Sequence, residues 1–121
     1  LIFISGKGPL QSDGNYVLGK LGENLTLEQG YEAARITAIN LISTLKASIG
    51  DLSKVKRIVR VTGMVNATSD FTDHPKVVNG CSDLLVEVFG DNGKHTRAAV
   101  GMNSLPSNIA VEIDMILEVM D

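Results

Sequence analysis

One cysteine, Cys81, stands in a chain of 121 residues. No intrachain disulfide can form, so the fold must be held by its own core. A lone thiol fits a reducing compartment, and the expected location is cytoplasmic. No apolar run reaches the ~18–20 residues that a membrane span needs, and no signal-peptide pattern is present. Basic residues are not in excess. The formal net charge is -3, and Lys54, Lys56, Arg57 and Arg60 form the densest basic group. A nucleic-acid surface normally shows a clustered basic excess, so nucleic acid is not an expected partner. There is no C-x-x-C, no H-E-x-x-H and no carboxylate-rich calcium loop, so no metal site is expected. Gly6-Lys7-Gly8 lacks the spacing of a phosphate loop and no helix follows it directly. The sequence opens at Leu1 inside an apolar, strand-like run, Leu1-Ile2-Phe3-Ile4-Ser5. We therefore expect a further segment upstream of it.

The length is that of one domain, taken as residues 1–121, with enough chain for a real core. Leu1 to Ser5 is continuously apolar and reads as a central strand. A long Gly-punctuated loop follows from Leu10 to Asn24, with Tyr16–Lys20 as a short strand inside it. Thr26 and Gln29 make a capping box. Ala34, Ala38, Leu41, Ile42, Leu45 and Ile49 then recur at helical spacing up to Gly50, a natural stop. That predicts a helix from about Thr26 to Ile49. After the turn Asp51–Lys54 a strand is expected with Val55, Val59, Val61, Gly63 and Val65 on one face. Lys56, Ile58, Arg60, Thr62 and Met64 fall on the other. Pro75 suits the first turn of a second helix, whose stripe is Val77, Cys81, Leu84, Leu85 and Val88, ending at Gly90.

The stretch from His95 to Val119 reads as two strands around the turn Asn103–Asn108, where Pro106 supplies a fixed φ. In the second of them Ile109, Val111, Ile113, Met115, Leu117 and Val119 share one face. Ala110, Glu112, Asp114, Ile116 and Glu118 share the other. The whole pattern is an α+β layer: a mixed sheet of four or more strands with both helices on one face. The opposite face keeps Ile116, Met64 and Ile58 among charges, which makes it a candidate oligomer surface.

Few residues have the chemistry of a site. Arg97 opens the first of the two last strands, and its planar fork is suited to clamping a carboxylate. Glu112 lies mid-strand on the expected neighbour, two residues before Asp114 on the same face. Carboxylates on a covered sheet face are unfavourable unless paired, and one of them could serve as a general acid/base. The plain alternatives are a surface arginine and two solvated carboxylates. His95 shares the strand face of Arg97, His74 precedes the second helix, and Cys81 falls on an apolar stripe and reads as core. Asn79 lies off that stripe and could bond a ligand.

Taken together, several phrases resemble the RidA/YjgF family, also called L-PSP endoribonuclease-like. They are Ser5-Gly6-x-x-Pro9, Asp70-Phe71, Asn79 and Arg97…Leu105-Pro106…Val111-Glu112-Ile113. The resemblance runs from Leu1 to Val119. Gly30–Arg35, Asn79–Leu85 and Phe89-Gly90 are similar to a longer, less-studied branch of it. It implies a chorismate-mutase-like fold and a homotrimer with a barrel-like centre and clefts between subunits. It also implies hydrolysis of reactive 2-imino or enamine acids to 2-keto acids and ammonia, with no cofactor. Arg97 would bind the substrate carboxylate and Glu112 would position or activate water. Ser5, Gly6 and Asn79 would line the cleft with the Ala99 backbone, where the archetype carries a cysteine. Two other classes stand beside this expectation: a non-catalytic trimer binding small carboxylates, and an RNA endonuclease, which the acidic balance disfavours.

Overall fold

The first helix begins with a closed capping box. In the computed structural model, which describes residues 1–121, Thr26 Oγ1 accepts from the Gln29 backbone at 3.2 Å and Gln29 Oε1 accepts from the Thr26 backbone at 2.8 Å. Two of the four unpaired N–H groups at the helix start are satisfied by side chains three residues apart. The helix, α1, runs Leu27–Ile49 and ends where Gly50 takes φ 84° and donates to the Lys46 carbonyl. Its inward face is Ala33, Ala34, Thr37, Ala38, Leu41 and Leu45. The small residues let it lie close to its neighbours. Leu41 and Leu45 are fully buried, each contributing roughly 1.5–3 kcal/mol by removal from water.

Four strands and a second helix complete the fold: β1 (Ile2–Lys7), β2 (Val55–Asn66), α2 (His74–Phe89), β3 (Thr96–Met102) and β4 (Val111–Val119). The sheet order is β1-β4-β2-β3, with β2 and β3 parallel and the other pairs antiparallel. Both helices pack on one face. The alternation expected for β4 is observed: Val111, Ile113, Met115 and Leu117 are buried, and Glu112, Asp114, Ile116 and Glu118 are half-buried on the face without helices. Tight contacts seat α2. A Cβ at Gly80 would strike the Tyr31 carbonyl of α1, and one at Gly63 of β2 would strike Val78. Tyr31 Oη also donates to Asp83 at 2.8 Å across the helix pair. That bond holds the phenol proton and raises the tyrosine pKa.

Several expectations are corrected. β1 is an edge strand, not a central one. Its apolar run arises because Ile2 and Ile4 pack toward the core while Phe3, opposite Ile116, stays 70% exposed. Ile58 belongs to the core, at 1% exposure, and not to the open face. Register shifts between Val55 and Arg57 and between Ile58 and Arg60 break the period of two, as β-bulges do. Val88 is exposed, and Val78, outside the expected stripe, is fully buried. No strand forms over Tyr16–Lys20; isolated bridges join Leu10 to Tyr16 and Leu18 to Ile109. Finally, β3 and β4 are not neighbours, because β2 lies between them.

Candidate functional site

The sheet register separates the two residues most suited to chemistry. Val61 of β2 pairs with Arg97 on one side and with Met115 on the other, so Arg97 belongs to the row that faces the helices. Met64 pairs with Val100 and with Glu112, and that row faces away from them. Arg97 and Glu112 therefore sit on opposite faces of one sheet, two strands apart.

Arg97 emerges at the β3 edge beside α2. Its Nη1 donates to Ser82 Oγ at 3.0 Å and its Nη2 to the Pro75 carbonyl at 3.3 Å. A guanidinium has five N–H donors, so three are left for a ligand. Pro75, Asn79, Ser82 and Val86 recur at spacings that place them along one side of α2. Ala99 follows Arg97 on the same strand face, in the row of Gly63 and Ile113. Arg97, Asn79 and Ala99 are thus gathered on one edge. A shallow groove of about 270 Å³ opens there, lined by Ser82, Val86, Lys94, His95 and Arg97. Cys81 lies beneath it in the core. Burial pushes its thiol up to about 12, partly opposed by the Arg97 charge, so it is a protonated core residue and no nucleophile.

The other edge gathers Ser5, Gly6 and Glu112. From Ile4 to Lys7 the pairing of β1 with β4 slips by one residue, a bulge at Ser5-Gly6. Bulges re-aim the backbone and are frequent beside sites. The Glu112 carboxylate occupies the space that a Cβ at Gly6 would fill. Only glycine permits this close approach of Glu112 to the bulged strand. Asp114, the second carboxylate of this face, lies opposite Thr62.

Each candidate is thus positioned by an element, but one chain brings them together as two separate groups on opposite faces of the sheet. Sequence reasoning missed Ser82, which carries the contact to Arg97. The available signal was its position three residues after Asn79 and off the apolar stripe of α2. His95 is bonded to that same serine at 2.9 Å, which its place at a strand end did not reveal.

Known proteins place this chain in a class. The family described as "YjgF/chorismate_mutase-like, putative endoribonuclease" matches residues 1–119. The chain belongs to this YjgF/chorismate-mutase-like family, as the sequence resemblance implied. It is 42% identical over 118 residues to Protein TCP17 of Trypanosoma cruzi, covering 97% of this chain and 74% of that one. Among solved structures it is similar to Atu1372 of Agrobacterium tumefaciens, a protein of unknown function. The TM-score is 0.94 and the identity 40%, over 97% of this chain and 75% of that one. A "putative endoribonuclease" of Shewanella oneidensis matches with a TM-score of 0.92 and 35% identity, over 97% and 78% of the two chains.

Proposed function

We propose that the chain is a RidA-like, cofactor-independent hydrolase. It would convert small 2-imino or enamine acids to 2-keto acids and ammonia in clefts between the subunits of a cytoplasmic homotrimer, each subunit being one domain of residues 1–121. The observation that carries this reading is the division of the site. A cationic half, Arg97 with Asn79 and Ala99, lies at the β3 edge, and an acidic half, Glu112 with Ser5 and Gly6, lies at the β1 edge of the opposite face. Two halves on opposite faces complete each other when a second copy supplies the missing one. The face without helices supports such packing, because Phe3, Met64, Val100 and Ile116 lie on it with no cover.

The chemistry follows from the groups. Arg97 takes the substrate carboxylate on its free N–H donors and fixes the imine carbon. Water adds to that carbon while Glu112 of the neighbouring subunit accepts its proton and passes it to nitrogen. The resulting carbinolamine collapses: its hydroxyl proton passes through the carboxylate to the amino nitrogen, the C–N bond breaks, and ammonia leaves the 2-keto acid. No electrons are exchanged with a second reactant.

A second reading, a trimer that binds small carboxylates without turning them over, is favoured by Ala99, which offers no thiol. One assay separates the two. An amino-acid oxidase generates 2-iminopropanoate in the presence of semicarbazide. The wild type should suppress semicarbazone formation and Arg97→Ala should not. Equal suppression by both would sink the hydrolase reading. Binding of 2-ketobutyrate that survives Glu112→Gln, with no turnover by the wild type, would establish the binder. Salt-sensitive RNA binding would instead favour the endoribonuclease reading.

A further inference from the structure

Arg97 is held by a hydroxyl and not by a carboxylate, and that hydroxyl is itself held. Ser82 Oγ lies 2.9 Å from His95 Nε2, and His95 Nδ1 lies 2.6 Å from the Gly93 carbonyl oxygen. The direction of each bond in this chain follows from what its ends can do. A carbonyl only accepts, so Nδ1 carries a proton. Nε2 of a neutral imidazole is then a lone pair, and the single proton of Ser82 is committed to it. What remains on Ser82 Oγ is acceptor capacity, which the Arg97 Nη1–H group fills at 3.0 Å. Neutral His95 therefore makes Ser82 an acceptor that pins one corner of the guanidinium.

A proton on Nε2 reverses one link. His95 then donates to Ser82 Oγ, which accepts from both neighbours and has its own proton to give. The recipient would sit in the groove lined by Ser82, Val86, Lys94, His95 and Arg97. None of these five is acidic. Charged and titratable groups around His95 can be taken element by element. From β3 comes Arg97, and from the turn before it Lys94, whose Nζ is paired with Asp91 at 3.0 Å. From α2 come Ser82 and the protonated thiol of Cys81. From β2, Arg60 pairs with Thr96 in a row that faces the other way.

We infer that Ser82 and His95 are positioning residues for the Arg97 clamp. Protonation of His95 makes the Ser82 hydroxyl a second donor to a small carboxylate seated on Arg97. The inference rests on the reading of Arg97 as a carboxylate clamp. Its distinct consequence is that carboxylate affinity is higher when His95 is protonated than when it is neutral.

Two measurements test it on the intact protein. Imidazole nitrogen NMR of the ligand-free protein at about pH 8 should show His95 as the Nδ1–H tautomer. The opposite tautomer would overturn the inference without touching the clamp. Calorimetric titration with 2-ketobutyrate from about pH 8 to about pH 5.5, where the ligand stays ionised, should show affinity rising about three- to tenfold in the wild type. Ser82→Ala and His95→Gln should bind weakly with a flat profile, and Ser82→Thr, which keeps the hydroxyl, should restore the rise. The chain has two histidines, so His74→Gln is the control and should keep it. A flat wild-type profile, or a rise that survives in Ser82→Ala, overturns the inference and leaves the clamp standing. A wild type that binds no carboxylate at any pH removes both.

Discussion

Glu112 lies where a side chain at Gly6 would lie. The contact joins the bulge of β1 to the exposed face of β4 and explains why glycine is needed at that point of an edge strand. Gly6→Ala should therefore act on function more than on stability. The added methyl meets the far end of a flexible side chain, which can swing away. We expect a melting temperature within a few degrees of wild type and a loss of at least about tenfold in imine hydrolysis, as Glu112, the proposed acid/base, leaves its place. A variant that keeps full activity in the semicarbazone assay would show that Glu112 does not work from this position.

Arg97→Lys keeps the charge and removes the fork. A lysine reaches with one point charge and cannot bond Ser82, the Pro75 carbonyl and a carboxylate in one plane. The expected result is a ten- to hundredfold weaker binding of 2-ketobutyrate, equivalent to about 1.5–3 kcal/mol, measured by calorimetry. An unchanged affinity would mean that charge alone holds the ligand.

If the two half-sites meet between subunits, two dead variants should repair each other. Arg97→Ala and Glu112→Gln proteins, unfolded together and refolded at equal concentration, would form mixed oligomers. Random mixing gives about one cleft in four an intact Arg97 from one chain and an intact Glu112 from the next. Activity of roughly a quarter of wild type is expected, against none in either variant alone. No recovery in mixtures that native mass spectrometry proves to be hetero-oligomeric would place the site within one chain.

Gly80→Ala sets two effects against each other. Alanine improves helix propensity by about 1 kcal/mol. Here the new Cβ would strike the Tyr31 carbonyl oxygen and come within 3.1 Å of the Arg35 nitrogen, both backbone atoms of α1. Backbone cannot rotate away, so the helices must separate, at a cost of about 1–3 kcal/mol or more. Overpacking should prevail, and urea denaturation should show a lower midpoint. A raised midpoint would mean that the helix pair is looser than this contact implies.

The Cys81 thiol ties stability to alkaline pH. Its usual value is 9.0 and burial raises it to about 12. The folded state holds the proton more tightly than the unfolded chain. This contribution is present in full below about pH 9 and is lost as the pH rises toward 12. Denaturant midpoints should fall over that range, less steeply in Cys81→Ala. At pH 8 the native thiol should be inert to Ellman's reagent and react fully once the protein is unfolded. Rapid labelling of the native protein would contradict its burial.

Much of this molecule is readable from neighbouring residues alone. The capping box at Thr26 and Gln29, the stop at Gly50, the buried stripe of α1 and the two faces of β4 all appear where the sequence places them. Each depends on interactions within a turn or on the period of a strand, so the information lies within a few positions. Family membership was equally readable, because Arg97, Leu105-Pro106 and Glu112 keep a spacing along the chain whatever the fold does with them.

Strand order, register and face are different. Every strand edge offers the same N–H and C=O groups, so nothing local says that β2 separates β3 from β4 or that β1 stands at the edge. Bulges in β2 turn Ile58 into the core against its expected alternation. The distribution of Arg97 and Glu112 to opposite faces follows from that register. The bonds from Arg97 through Ser82 to His95 arise only when α2 docks beside β3 and brings together residues 13 and 15 positions apart. By itself the sequence determined the elements, the buried stripes and the family. The tertiary structure decided which polar groups meet, because long-range packing selects one strand pairing from many that the backbone would accept.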